Sequence, residues 1–109
     1  MLKVITLVRR KPGMSRKEFA RYWIEVHSPL VKASLPGLRK YVLNVATPSP
    51  DGSEPAFDGV VELWFDDVAA MTAAMSSPTW LGPERQASSS RFLDLDNLVA
   101  IYTEERTVV

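Results

Sequence analysis

The sequence has 109 residues, the length of one small domain, and 46% of them are apolar while 24% are charged, as in globular proteins. Lys plus Arg and Asp plus Glu are equal at 13 each, which argues against nucleic acid and anionic membranes as partners. The chain has no cysteine and one histidine, which excludes thiolate chemistry and argues against a metal site.

The predicted elements follow the order β-α-β-β-α-β within a single domain over residues 1–109. In chain order they are a strand over 2–9, a helix over 15–30 with a short second helix over 29–33, strands over 38–46 and 57–65, helices over 68–75 and 83–89, and a strand over 97–105. This order predicts an α+β, ferredoxin-like fold, a four-stranded antiparallel sheet with helices on one face. No apolar run is long enough for a membrane span or a signal peptide, so a cytoplasmic location is expected.

The first helix carries the clearest local signals. Ser15 and Glu18 have the spacing of a capping box, in which each side chain satisfies a backbone N–H at the helix start. Pro29 has no N–H and would clash with the carbonyl four residues before it, so the helix is predicted to end or kink near His27. The apolar stripe that should face the core is Phe19, Tyr22, Trp23, Val26 and Leu30.

The third strand indicates a second covered surface. Val61, Leu63 and Phe65 alternate with Val60, Glu62 and Trp64, so the first set suits the helix side and the second set points to the open face. An open face that carries large apolar residues is typical of an interaction surface. Two sheets packed face to face would form a homodimer that encloses a space for a ligand.

His27 is the first candidate for catalysis. It lies about 80° from the centre of the apolar stripe, and its unperturbed pKa of about 6.5 suits proton transfer near neutral pH. The alternative is a structural role, in which the imidazole binds the last carbonyls of the helix. Tyr22 is expected on the opposite shoulder of the stripe, so the two side chains should not face one small substrate.

Glu62 is the second candidate, as an acid or base whose pKa is raised in a semi-enclosed cavity. The alternative is a rim residue that pairs with Lys40 or Arg39. The other candidates are polar or aromatic side chains that could orient or enclose a planar substrate, each with an ordinary strand or core role as the alternative. They are Thr6, Asn44, Tyr102, Tyr22, Trp23, Trp64 and Trp80.

Three segments together resemble the EthD-domain family of the dimeric α+β barrel superfamily. They read YWIEVHSPLV, LPGLRKYVLN and DGVVELWFDDVAAM, and the likeness spans roughly residues 2 to 105. The resemblance implies a homodimer whose sheets form a barrel, and a cofactor-free site in each subunit between sheet and helices. It also implies that the position of His27 faces this cavity.

The resemblance leaves several functions open. The leading hypothesis is a cofactor-free isomerase, dehydratase or cyclase that acts on a hydrophobic aromatic, polyketide-like or lactone molecule, with His27 and Glu62 as catalytic residues. The second is a cofactor-independent monooxygenase of phenolic or anthrone substrates. The third is a non-enzymatic binding or auxiliary protein of an oxidative degradation system. A haem protein with His27 as axial ligand is a weaker alternative.

Overall fold

A computed structural model describes residues 1–109 and contains one four-stranded sheet. The strands are β1 (Leu2–Val8), β2 (Lys40–Val45), β3 (Gly59–Phe65) and β4 (Val99–Glu104). Their order across the sheet is β2-β3-β1-β4, and every neighbouring pair is antiparallel. The predicted ferredoxin-like α+β fold is therefore confirmed, with strand ends that lie within two residues of the prediction.

All the helices pack on one face of this sheet. They are α1 (Arg16–Tyr22), a π-helical segment (Trp23–His27), α2 (Ser28–Ser34), α3 (Val68–Met75) and α4 (Pro83–Phe92), and a short 3-10 turn covers Leu95–Asn97. Ser15 accepts a hydrogen bond from the Glu18 N–H at the start of α1, which confirms the predicted N-cap, but the Glu18 side chain makes no bond back to the Ser15 N–H. None of these helices has the length and apolar character needed to cross a membrane.

The core lies between the helices and the sheet in two neighbouring clusters. One cluster contains Val4, Val31, Leu35, Leu63, Phe65 and Ala74, and the other contains Val8, Phe19, Trp23 and Phe92. Leu63 and Phe65 are buried under the helices, which confirms the predicted alternation of β3. The second cluster is mainly aromatic, because helices α1 and α4 both contribute large rings to it.

The helical chain does not end at Pro29, and the predicted break is replaced by a π turn. The Ser28 N–H bonds to the carbonyl of Trp23, five residues back. In this pattern Pro29 would bond to the carbonyl of Ile24 but has no N–H to offer. The Ser28 hydroxyl donates to that carbonyl instead, at 2.7 Å. Pro29 then occupies the first turn of α2, where a missing N–H costs nothing.

The π turn moves the buried stripe by one residue. Val26 was expected in the core but is 48% exposed, whereas His27 is only 6% exposed and Val31 is buried. A π turn closes its hydrogen bonds over five residues rather than four, so the residues after it are rotated back toward the core. The prediction of Val26 as a core residue is wrong for this reason, and His27 takes its place.

Gly59, at the start of β3, permits the closest approach between sheet and helix. A methyl group at this position would collide with the ring of Trp23 and would lie 2.8 Å from the backbone oxygen of Asn44. Trp23 can reach the sheet only because residue 59 has no side chain. The Gly of the DGVVELWF segment therefore belongs to the same packing unit as the Trp of YWIEVHSPLV.

Candidate functional site

A cavity of about 280 Å³ lies between the helix-covered face of the sheet and the helices. This volume is at the lower end of the range for small-molecule sites, which begins at about 300 Å³. Seventeen residues line the cavity, and 13 of them are hydrophobic. The four polar members are Thr6, His27, Arg85 and Ser89. An apolar cavity with a few polar side chains suits a small hydrophobic ligand that carries one or two polar groups.

His27 presents one ring nitrogen to the protein and keeps the other free. Its Nδ1 lies 2.9 Å from Ser88 Oγ on α4, and its ring packs 4.6 Å from the ring of Phe92. Nε2 forms no hydrogen bond within the chain, although His27 lines the cavity. The imidazole is thus held in place by α4 while Nε2 stays available to a ligand.

The contact of Ser88 with His27 continues to a third side chain. Tyr22 Oη lies 3.1 Å from the same Ser88 Oγ. The chain of hydrogen bonds can run in either direction, because a hydroxyl both donates and accepts. In one direction Ser88 donates to Nδ1 and Nε2 carries the proton; in the other Nδ1 donates to Ser88 and Nε2 offers its lone pair. Either tautomer of neutral His27 therefore keeps Nδ1 paired.

Burial and, to a smaller extent, the positive charge of Arg85 together lower the pKa of His27 to about 4. Both effects disfavour the imidazolium form, because the charge would be poorly hydrated and would face another cation. His27 is consequently neutral at pH 7 in the free protein. The alternative role, in which a charged imidazole binds the last carbonyls of the helix, is not observed. The His27 ring bonds to Ser88 Oγ and to no backbone carbonyl.

Arg85 is the one cation that lines the cavity. Its Nε donates to the carbonyl of Trp80 at 2.7 Å, and its Nη1 donates to Ser89 Oγ at 3.3 Å. The guanidinium also stacks on the Trp80 ring, 3.9 Å from the ring centre. Burial lowers the pKa of Arg85, but a guanidinium keeps its proton in proteins. A fixed positive charge therefore lies beside a neutral histidine.

The structure brings several of the predicted site residues together. Thr6, Trp23 and Trp80 line the cavity with His27. Tyr22 does not line it but reaches His27 through Ser88, in contrast to the expected placement on opposite shoulders. The two residues are five apart, and the π turn brings residues at that spacing to the same side. Tyr102 is 60% exposed on the edge strand β4 and does not reach the cavity.

Glu62, Asn44 and Trp64 lie on the other face of the sheet, away from the His27 cavity of the same chain. Glu62 pairs with Lys3 at 2.8 Å and accepts from Asn44 at 3.0 Å. The ammonium of Lys3 lowers the pKa of Glu62, and Asn44 acts in the same direction. The expected raised pKa is therefore wrong, and Glu62 cannot be the direct partner of His27 within one protomer.

Two residues of α4 that were not predicted from the sequence, Arg85 and Ser88, belong to the site. Arg85 and Ser88 fall on the same side of the helix as Ser89 and Phe92, at offsets of 0, 3, 4 and 7 residues. This spacing is the signature of a buried helix face. The face is disguised in the sequence because three of its four members are polar, so no apolar stripe marks it. No three His, Cys, Asp or Glu side chains cluster in a way that could hold a metal ion.

The comparison with known proteins agrees with this arrangement of the fold. Among solved structures, an ethyl tert-butyl ether d (ethd) family protein from Bacillus halodurans is 24% identical, with a TM-score of 0.75 over 97% of this chain and 99% of that chain. An ethd-like protein from Ralstonia eutropha is 23% identical, with a TM-score of 0.69 over 94% and 89% of the two chains. A dimeric ferredoxin-like protein of unknown function from Thermobifida fusca is 17% identical, with a TM-score of 0.67 over 94% and 88%.

No curated protein matches the sequence. The family model of the EthD domain, by contrast, matches residues 11–100, which include the π segment, strands β2 and β3 and all of α4. The resemblance carried by the YWIEVHSPLV and DGVVELWF segments is therefore confirmed, and the chain belongs to the EthD-domain family.

Proposed function

We propose that the protein is a cofactor-free enzyme that moves a proton on a hydrophobic aromatic, polyketide-like or lactone molecule, with His27 as the acid or base. The observation that carries this proposal is the imidazole itself, whose Nδ1 contacts Ser88 while its Nε2 has no partner in an apolar cavity. A base needs one free nitrogen and a defined tautomer, and this geometry supplies both.

The chemistry follows from the neutral state of the ring. Nε2 accepts a proton from a carbon next to a carbonyl group, which leaves an enolate on the substrate and an imidazolium on His27. As Nε2 gains its proton, Nδ1–H donates to Ser88 Oγ, and the Ser88 hydroxyl donates to Tyr22. Return of the proton to another carbon completes an isomerisation, and its transfer to a departing hydroxyl group releases water in a dehydration.

The low pKa of His27 supports a second candidate function. A group with a pKa of about 4 is a weak base at neutral pH, because proton-transfer efficiency follows basicity. In a binding or carrier protein, Nε2 of His27 would only form a hydrogen bond to the ligand, and the low pKa would keep that interaction constant with pH. The two functions differ in whether a proton leaves the ligand.

Hydrogen–deuterium exchange separates these functions. 2-Tetralone and α-angelica lactone both carry acidic protons next to a carbonyl group, and their exchange in D₂O is followed by NMR. The wild-type protein is expected to accelerate the exchange, and His27→Gln should reduce the acceleration by about 10²- to 10⁴-fold, the usual contribution of a general base. Glutamine keeps a hydrogen bond but cannot act as a base. Binding without acceleration in the wild type would establish the carrier function instead.

We also propose that two copies of the chain associate through their open sheet faces. Val99 and Ile101 on this face are 45% and 48% exposed, and Ile5 and Leu7 extend the apolar surface on the neighbouring strand. Exposed apolar patches of this kind are typical of interaction surfaces. The similar structure from Thermobifida fusca is described as dimeric, which supports self-association of this fold.

A further inference from the structure

We infer that the cavity takes a carboxylate-bearing aromatic substrate, whose anionic group pairs with Arg85. The inference deepens the proposed function, on which it rests, by naming the class of molecule that the His27 site accepts. It rests on the hydrogen bonds that the Arg85 side chain forms and on the residues that surround this side chain.

The guanidinium of Arg85 has few hydrogen-bond partners within the chain. Of its five N–H donors, one bonds to the carbonyl of Trp80 and one to Ser89, which leaves three without a partner. No Asp or Glu lines the cavity, and Arg85 has no salt bridge. A half-buried cation without a counter-charge is costly, because it loses hydration without regaining it from the protein.

Other arginines of the chain show how unusual this environment is. Arg10 pairs with Asp58 at 2.9 Å, and Arg39 forms two bonds with Asp66 at 3.0 and 2.9 Å. Arg9 and Arg91 lack a carboxylate partner, but both are exposed and can be hydrated. Arg85 alone combines partial burial, a place in the cavity wall and the lack of a carboxylate.

The orientation of Arg85 is fixed in advance of binding. The stack on Trp80 and the Nε bond to the Trp80 carbonyl hold the guanidinium plane from two directions. A guanidinium held in this way presents a planar pair of donors, which matches the two oxygens of a carboxylate. The 13 hydrophobic residues of the cavity suit the remainder of an aromatic acid.

A bound carboxylate would also change the strength of His27 as a base. The charge of Arg85 lowers the pKa of His27 in the free protein, and an anion beside Arg85 would cancel that effect. Tyr41 also lines the cavity, but burial raises its pKa to about 12, so it stays neutral. The hydroxyl of Tyr22 reaches His27 through Ser88. Substrate binding would therefore raise the pKa of His27 toward neutrality.

The test compares two probes of nearly the same shape, 2-naphthoate and 2-naphthamide, by calorimetry at pH 7. The wild-type protein is expected to bind the carboxylate about 10- to 100-fold more tightly than the amide, the usual value of a charged hydrogen bond. Arg85→Met should abolish this preference and leave amide binding within about twofold. Arg85→Lys should keep part of it. Arg91→Gln removes an exposed charge from the same helix and serves as the matched control.

The outcomes separate this inference from the function on which it rests. Equal affinity of the wild type for both probes would overturn the carboxylate inference and leave the His27 chemistry standing. Binding of neither probe would also overturn the carboxylate inference, while deuterium exchange with 2-tetralone decides the His27 chemistry separately. Retention of the preference in Arg85→Met would place the anion elsewhere and overturn the assignment to Arg85. The NMR signal of the single histidine gives an independent readout, since its pKa should rise on naphthoate binding in the wild type but not in Arg85→Met.

Discussion

The two faces of the sheet handle polar groups in opposite ways. On the helix-covered face, the charge of Arg85 lies beside neutral His27 in an apolar cavity that no carboxylate lines. On the open face, Glu62 pairs with Lys3 at 2.8 Å, and Glu105 pairs with the same lysine at 3.0 Å. Consecutive residues of β3 thus meet opposite environments. Val61 lines the cavity, where the charge of Arg85 has no partner, and Glu62 lies on a surface where charges are paired.

This difference decides which residues can do chemistry. The ammonium of Lys3 lowers the pKa of Glu62, so this carboxylate is a poor proton acceptor at neutral pH. His27 is neutral and has a free nitrogen, and both burial and the charge of Arg85 lower its pKa. The candidate catalytic residue therefore lies beside the one uncompensated charge of the cavity, and not beside the paired charges of the open face.

The largest effect is expected when an aromatic side chain that supports the covered face is removed. Phe92 is fully buried and contacts the rings of Phe19, Tyr22 and His27. Phe92→Ala should lower the free energy of unfolding by about 3–5 kcal/mol, because it creates a cavity in the core. Urea denaturation measures this loss, which should not depend on protein concentration when monitored below the dimer dissociation constant. A loss below about 1 kcal/mol would contradict the packing described for α1 and α4.

The second largest effect is expected in the pH dependence of the free energy of unfolding, to which the buried histidine of the covered face contributes. The pKa of His27 is about 6.5 in the unfolded chain and about 4 in the folded one, so only the unfolded state binds the proton between these values. Stability should therefore fall as the pH drops, by about 2 kcal/mol between pH 7 and 5 and by about 3 kcal/mol in all. His27→Gln should lack this loss. Identical pH profiles for the two proteins, at one fixed concentration, would show that His27 is hydrated in the folded state.

The smallest effect is expected on the open face. Ile101→Ala removes apolar area that is 48% exposed in the single chain and that two copies would bury together. The loss should be about 1–2 kcal/mol per dimer, or roughly a tenfold weaker association, since each substitution counts twice in a symmetric pair. Analytical ultracentrifugation measures the dissociation constant. Tyr102→Ala, on the same strand but on its other side, is the control and should leave the dissociation constant unchanged, because Tyr102 pairs with Val4 of the helix-covered face. A wild-type monomer at all concentrations would remove the open face as an interface.

The fold was predictable because it rests on repeated local patterns. The alternation of Val61, Leu63 and Phe65 and the cap at Ser15 are visible in the sequence and survive in the structure. The Tyr22 and His27 pair was not predictable from an ideal helix, because the π turn changes the spacing that brings side chains together. Pro29 signals a disturbance there, but the sequence does not reveal that the helix absorbs it rather than ends.

The candidate site was predicted only in part, for reasons of packing and charge. His27, Thr6, Trp23 and Trp80 meet in the cavity. Arg85 was missed because its role depends on what lies around it, namely the lack of a carboxylate and a stack on one ring, and neither property is written in its own segment. Glu62 was predicted to have a raised pKa because its position in the strand indicates which face it lies on. That position does not reveal the pairing with Lys3, which lowers the pKa.

Deuterium exchange in His27→Gln and Glu62→Gln tests the central claim, that the chemistry belongs to the covered face. Each substitution replaces one titratable group on one face of the sheet by an amide. With 2-tetralone as the probe, His27→Gln should lose the acceleration by about 10²- to 10⁴-fold while Glu62→Gln stays within about twofold of the wild type. An equal loss in both variants would contradict the account, because it would bring the carboxylate of the open face into the reaction.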